Sequence, residues 1–120
     1  MEKFIIIAGV NAFLAVALGA FGAHGLQQNA TDYAVAIWDK ASRYQMYHAL
    51  GLFIIAFLID KYPKSSLLEW AGWSMLGGIF LFSGSLYVMA VTGISSLGIV
   101  TPVGGLLFIA GWILTVLSLK

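Results

Sequence analysis

His24 and His48 are the two imidazoles of this chain, and it contains no cysteine, so thiol nucleophiles, thiolate metal centres and disulfides fall away at once. Imidazole and hydroxyl chemistry remain. A hydrolytic site would need Ser83 or Ser85 activated by His48, with a third group orienting the ring; no motif in the chain announces that trio. A zinc centre would need a third strong ligand beside His24 and His48, and Asp32 and Asp39 are the carboxylates near them in sequence. The residue types therefore argue against an enzyme and against a metal centre. No cofactor motif is present. A net charge of +1 gives no reason to expect nucleic acid as a partner.

The elements that carry these residues are unusually apolar. Hydrophobic residues make up 61% and charged residues 9% of 120 residues, whereas soluble domains average roughly a quarter charged. Apolar runs extend from Phe4 to Ala23, Tyr44 to Ile59, Trp70 to Val91 and Leu97 to Leu119, against the roughly 20 residues needed to cross about 30 Å of hydrocarbon. The runs lack strict alternation, so helices rather than barrel strands are expected. The predicted fold is all-α, an integral membrane four-helix bundle formed by residues 1–120 as a single four-span domain. Although a charged start before an apolar run can mark a secretory signal, the first run reads as an uncleaved helix.

An amphipathic helical segment, Gly25 to Arg43, is expected at the interface between the first two spans. On a helical wheel Asp32, Asp39, Ser42 and Arg43 share one side, and Ala34, Ile37, Ala41, Tyr44 and His48 the other. Asp39 and Arg43 are spaced to pair. A bend near Arg43 would join this segment to the second span. Ser66 and Glu69 have the spacing of a capping box for the third helix, and Thr101-Pro102 that of an N-cap followed by proline for the fourth. Four crossings put both termini on one side with Lys3, Lys61, Lys64 and Lys120, against Lys40 and Arg43 opposite; by the positive-inside rule the termini are cytoplasmic.

Counting depth along each span gathers the polar residues. His24 ends the first span, while Arg43, Tyr44, Gln45, Tyr47 and His48 begin the second from the same side. Ser83, Ser85 and Tyr87 lie about 25 to 31 Å up the third span, and Thr101 starts the fourth. A polar cluster at the extracytoplasmic end is expected, with the imidazoles as partners for the hydroxyls of Ser83, Ser85 and Tyr87. Two readings of it stay open: a self-satisfied structural network, or a site for a small ligand or lipid headgroup. Asn11 falls near mid-membrane, where an interhelical hydrogen bond is expected. Ala8, Ala12, Ala15, Gly19 and Gly22 form a small-residue packing stripe, whose partner is either another span or a second copy. Trp38, Trp70, Trp73 and Trp112 read as interfacial belts. Asn29-Ala30-Thr31 has the form of a glycosylation acceptor.

Four strings in order, Gly19-Ala-Phe-Gly-Ala-His-Gly25, Tyr44-Gln-Met-Tyr-His-Ala-Leu-Gly51, Phe82-Ser-Gly-Ser-Leu-Tyr87 and Thr101-Pro-Val-Gly-Gly105 with Gly111-Trp112, resemble the YwdK/YgdD family of small bacterial membrane proteins. The resemblance covers the whole chain. It implies a multi-pass protein of the bacterial plasma membrane in a family of unknown function, and it implies no enzyme activity. The expectation is a non-enzymatic membrane protein that contacts membrane lipids and forms a homo-oligomer; the alternative is a subunit of a small oligomeric transporter or channel.

Overall fold

The computed structural model describes residues 2–25 and 30–119. Asn29 of the acceptor sequence and Lys120 of the charge count lie outside the described residues. Helix α1 spans Glu2–His24 and α2 Asp32–Lys61. A third rod, Ser66–Thr92, consists of α3 (Ser66–Gly78), a π-helical turn (Ile79–Ser83) and α4 (Gly84–Thr92). A 3₁₀ turn over Ser95–Ile99 leads into α5, Thr101–Leu117. Among the described residues there is no strand.

Three of these rods, Glu2–His24, Ser66–Thr92 and Ser95–Leu117, are long and apolar enough to cross a membrane. The first half of α2 is too polar to qualify alone, but α2 runs antiparallel along α1. Trp38 meets Leu18, Gln45 meets Asn11, and Leu52 and Ile55 share a core with Ala8 and Phe4. A helix packed along a spanning helix crosses with it, which makes the fold an integral membrane four-helix bundle.

The expected bend near Arg43 is absent, because α2 is continuous for 30 residues, about 45 Å at 1.5 Å per residue. The amphipathic stretch is therefore the first half of a spanning helix. Its inner side is wider than the wheel reading: Ser42 is buried beside Gly19 instead of sharing the wet side with Asp39 and Arg43. Thr31 caps α2, its hydroxyl accepting the Ala34 N–H at 3.0 Å.

Two caps expected from sequence do not form. Ser65, not Ser66, precedes α3 and makes no side-chain cap; this start leaves Glu69 one position out of register for the reciprocal bond, and its carboxylate meets Lys3 at 2.5 Å and the Trp73 indole N–H at 2.9 Å. Thr101 is already the first residue of α5, since the preceding 3₁₀ turn supplies the backbone bond from Val100, and its hydroxyl is used elsewhere. Gly93, at φ 73°, ends α4 in the left-handed conformation that a side chain would disfavour.

The bundle is flattened, 49 × 26 × 16 Å. α1 packs chiefly on α2, and α5 on α3 and the π turn, with α2 and the third rod between them. The small stripe of α1 faces α2: Ala8, Ala15 and Gly22 are buried while Ala12 and Gly19 are half-buried. Gly22 sits under the Trp38 ring. Its partner is thus inside the chain. On the other side, a Cβ at Gly104 would strike the backbone nitrogen of Phe82, so α5 approaches the π turn backbone to backbone.

Candidate functional site

The first turn of α1, the last turn of α5 and the α2–α3 turn share one end of the bundle, where Lys3 meets Glu69 and Ser118 lies beside Pro63. The last turn of α1, the start of α2 and the α4–α5 connection share the other, here called the loop end. Counting about 20 residues up α2 from Lys61 spans the hydrocarbon and reaches Ala41 and Ser42. Arg43 thus lies at the loop-end boundary, and His48 about 10 Å below Ala41.

The polar side chains fall into two groups instead of one cluster. The first is an amide chain joining three rods. Tyr87 donates its hydroxyl to Gln45 Oε1 at 2.7 Å, Gln45 Nε2 donates to Asn11 Oδ1 at 3.0 Å, and Asn11 Nδ2 donates to the Ile7 carbonyl at 2.9 Å. Around it, Ser83 donates to the Ala41 carbonyl at 2.7 Å and Trp38 to the Leu18 carbonyl at 2.6 Å. The Ser85 and Thr101 hydroxyls are 2.6 Å apart. Together these bonds tie α1 to α2, α2 to the third rod and the third rod to α5, which fixes the vertical register of the rods.

The second group is built on His48. Its Nε2 lies 3.0 Å from Trp112 Nε1 and its Nδ1 2.8 Å from the Tyr44 carbonyl. An indole N–H can only donate, so Nε2 accepts and Nδ1 carries the proton. Both nitrogens of a neutral imidazole are thereby used. The ring also stacks on Phe108, 3.5 Å between centroids and 6° from parallel. Trp112 is about 16 Å along α5 from Thr101, inside the hydrocarbon and not in an interfacial belt. Trp38 departs from the belt too, being buried against Tyr87 and Phe21.

The expected pairing of imidazoles with the hydroxyls of Ser83, Ser85 and Tyr87 does not occur. Nearer acceptors on α2 and α5 satisfy the hydroxyls first. His24 is exposed at the end of α1, away from His48. Arg43 is exposed and pairs with Asp39 at 2.6 Å; Tyr44 and Tyr47 are partly exposed, ring against ring at 5.3 Å. Among the described residues no buried side-chain nitrogen or oxygen lacks a partner, and no three metal-ligating side chains converge.

At the loop end the open hollows carry polar groups such as Thr31, Asp32 and Asp39, but at membrane depth beside His48 what is left open is apolar. Between α2, the π turn and α5 lies a groove of about 610 Å³, lined by Tyr44, His48, Phe82, Pro102, Phe108 and Trp112 and by Gly105, Leu106 and Ile109. Sequence reasoning missed Phe82, Phe108 and Trp112 as neighbours of His48. The one available signal was the distance of Trp112 from either end of its span, since a tryptophan at that depth wants an acceptor for its N–H.

Fold and polar network define a multi-spanning α-helical membrane protein. A family model described as protein of unknown function (DUF423) matches residues 18–105, and the chain belongs to that family. It is 52% identical over 118 residues to the UPF0382 membrane protein YwdK of Bacillus subtilis (strain 168), covering 98% of this chain and 96% of the relative. The UPF0382 membrane protein SAB0533 of Staphylococcus aureus is 48% identical over 98% of this chain and 95% of its own. A relative from Staphylococcus saprophyticus, the UPF0382 membrane protein SSP2132, is 46% identical over 98% and 97%. No solved structure matches.

Proposed function

We propose that this protein is a non-catalytic component of the bacterial plasma membrane that holds the apolar part of a membrane lipid in the groove between α2 and α5, with both termini in the cytoplasm. One contrast carries the reading: the buried polar atoms satisfy one another, while the concavity at membrane depth offers aromatic and aliphatic surface. A polar solute would find no waiting donors there. An acyl chain finds a groove within the ~300–1,000 Å³ range usual for ligand sites. On this reading the network of Tyr87, Gln45, Asn11, Ser83, Ser85 and Thr101 is structural. The outward apolar faces of α1 and α5 are the surfaces through which copies of the chain would associate.

A phospholipid carrying a diazirine on its acyl chain, photolysed with the reconstituted protein, tests the groove. Label is expected at Phe82 and between Pro102 and Trp112 in excess of Ile6 and Phe13 on α1, which are 65% and 70% exposed. Gly105→Leu should suppress it, because a Cβ there meets only Phe82 Cδ2, at 3.9 Å, so the new side chain enters the groove without a backbone clash. Labelling that simply tracks exposure would end the proposal. Orientation is tested separately, since a chain without cysteine accepts a single reporter. Ser96→Cys, in an exposed position, should react with an impermeant maleimide in intact cells.

A further inference from the structure

Resting on that reading, we infer that the groove selects phospholipids with an anionic headgroup, and that Arg43 at its loop-end rim is the selecting residue. Three observations converge on Arg43. Its place on α2 puts it at the edge of the hydrocarbon, where lipid phosphates lie, about 7 Å above His48 in the groove. It also stands next to the groove along α2: Tyr47 is one helical turn on, at i+4, Tyr47 packs on Tyr44, and Tyr44 lines the groove. A lipid whose chain lay along Phe108 would bring its phosphate to this turn.

The third observation is the geometry of the ion pair. Asp39 engages the guanidinium through Nε, the inner edge of a group with five N–H donors. The four N–H bonds on the Nη atoms are not engaged by Asp39. Arginine binds phosphate best through paired donors of this kind. Asp39 thus orients the group, as a carboxylate behind a phosphate-binding arginine does, without occupying its outer edge. The charges on this turn are Asp39, Lys40 and Arg43, all exposed; two cations against one carboxylate leave the rim positive. A headgroup with net negative charge is favoured over a zwitterion, since each basic residue near a membrane surface favours anionic lipid by a factor of about five.

Trp112 reports on the groove from within, so quenching by brominated acyl chains reads the lipid directly. The full chain is reconstituted in phosphatidylcholine bilayers containing a minor fraction of brominated lipid, and the signal of Trp112→Phe is subtracted. Brominated phosphatidylglycerol is expected to quench Trp112 at a mole fraction about fivefold lower than brominated phosphatidylcholine. Arg43→Gln should remove the difference and Arg43→Lys should keep part of it. Asp39→Asn, which takes away the competing carboxylate, should enlarge it. Equal quenching by the two headgroups in the unmodified protein, or a preference that survives Arg43→Gln, overturns the inference while leaving the groove intact. Failure of both lipids to quench Trp112 removes the groove reading and this inference with it.

Discussion

The two sides of α3 and its continuation are held by different physics. Towards α5 the contact is chiefly one of shape, with a single hydroxyl pair, Ser85 and Thr101, at its loop end: Gly104 lies against the Phe82 backbone, Gly78 under the Phe108 ring and Gly111 against Met75. Towards α2 and α1 the contact is sutured by polar groups, from Tyr87 through Gln45 to Asn11 and from Ser83 to Ala41. Lipid tails are as apolar as a leucine, so burial alone does not drive helices together in a membrane, and close packing and hydrogen bonds must do it. This chain leans on the first towards α5 and adds most of the second towards α2 and α1. The π turn stands where the two meet. Its wider winding carries Ser83 towards α2 while Phe82 remains against Gly104 and Phe108.

If the α5 seam depends on shape, its weak point is steric. Gly104→Leu should have the largest effect of any single change, because the obstacle is backbone, which cannot swing aside. Overpacking typically costs about 1–3 kcal/mol and more where the backbone must move. The expected outcome is loss of the monodisperse folded species in size-exclusion chromatography, or a large fall in midpoint by thermal unfolding in detergent. A Gly104→Leu variant as stable as the parent would show that α5 is not held by close approach.

The polar seam should fail differently, through unpaired groups. Gln45→Leu leaves the Tyr87 hydroxyl and one side of Asn11 without partners, and a buried group left unsatisfied costs about 1–3 kcal/mol. Removing the partners as well, in Asn11→Leu/Gln45→Leu/Tyr87→Phe, should recover much of that loss, since apolar replacement of a whole network is often nearly neutral. Thermal unfolding of the single and triple variants decides it. A triple variant weaker than the single one by the summed losses would mean that the amide chain is fitted by shape as tightly as the other seam.

His48 belongs to both kinds of contact, which makes it a sharper probe. His48→Phe keeps an aromatic ring over Phe108 but orphans the Trp112 indole, so a loss of about 1 kcal/mol or somewhat more is expected; adding Trp112→Phe should restore part of it. A tyrosine at 112 would not, as its hydroxyl does not sit where the indole N–H does. If His48→Phe alone is neutral, the stack and not the hydrogen bond holds α5 to α2.

How far these seams could be read in advance differs for the same reason. The spans, the interhelical bond of Asn11 and the pairing of Asp39 with Arg43 follow from hydropathy, depth or i,i+4 spacing, all of which are local. The partner of His48 is 64 residues away, and the depth of Trp112 in its span calls for an acceptor without naming which one. Depth counting brought Ser83, Ser85, Tyr87 and Thr101 to one level but could not say towards which neighbour each hydroxyl turns. That depends on the extra residue in the π turn, which rotates everything beyond Ser83 relative to a plain α-helix. Thr101 looked like a cap because the sequence before it carries no sign of the 3₁₀ turn that already satisfies the backbone.

The smallest effect is expected outside both seams, and it is the most useful for function. Arg43 and Asp39 are exposed at the rim, where an i,i+4 ion pair contributes little to stability. Arg43→Gln should therefore leave the unfolding midpoint unchanged in zwitterionic detergent. If that variant is also indistinguishable from the parent in bilayers rich in anionic lipid, Arg43 is a solvated surface charge. If the parent alone gains stability as anionic lipid is added, the gain can only come from a ligand that binds the folded state. The contrast between detergent and bilayer thus separates a residue that holds the bundle together from one that meets what the bundle binds.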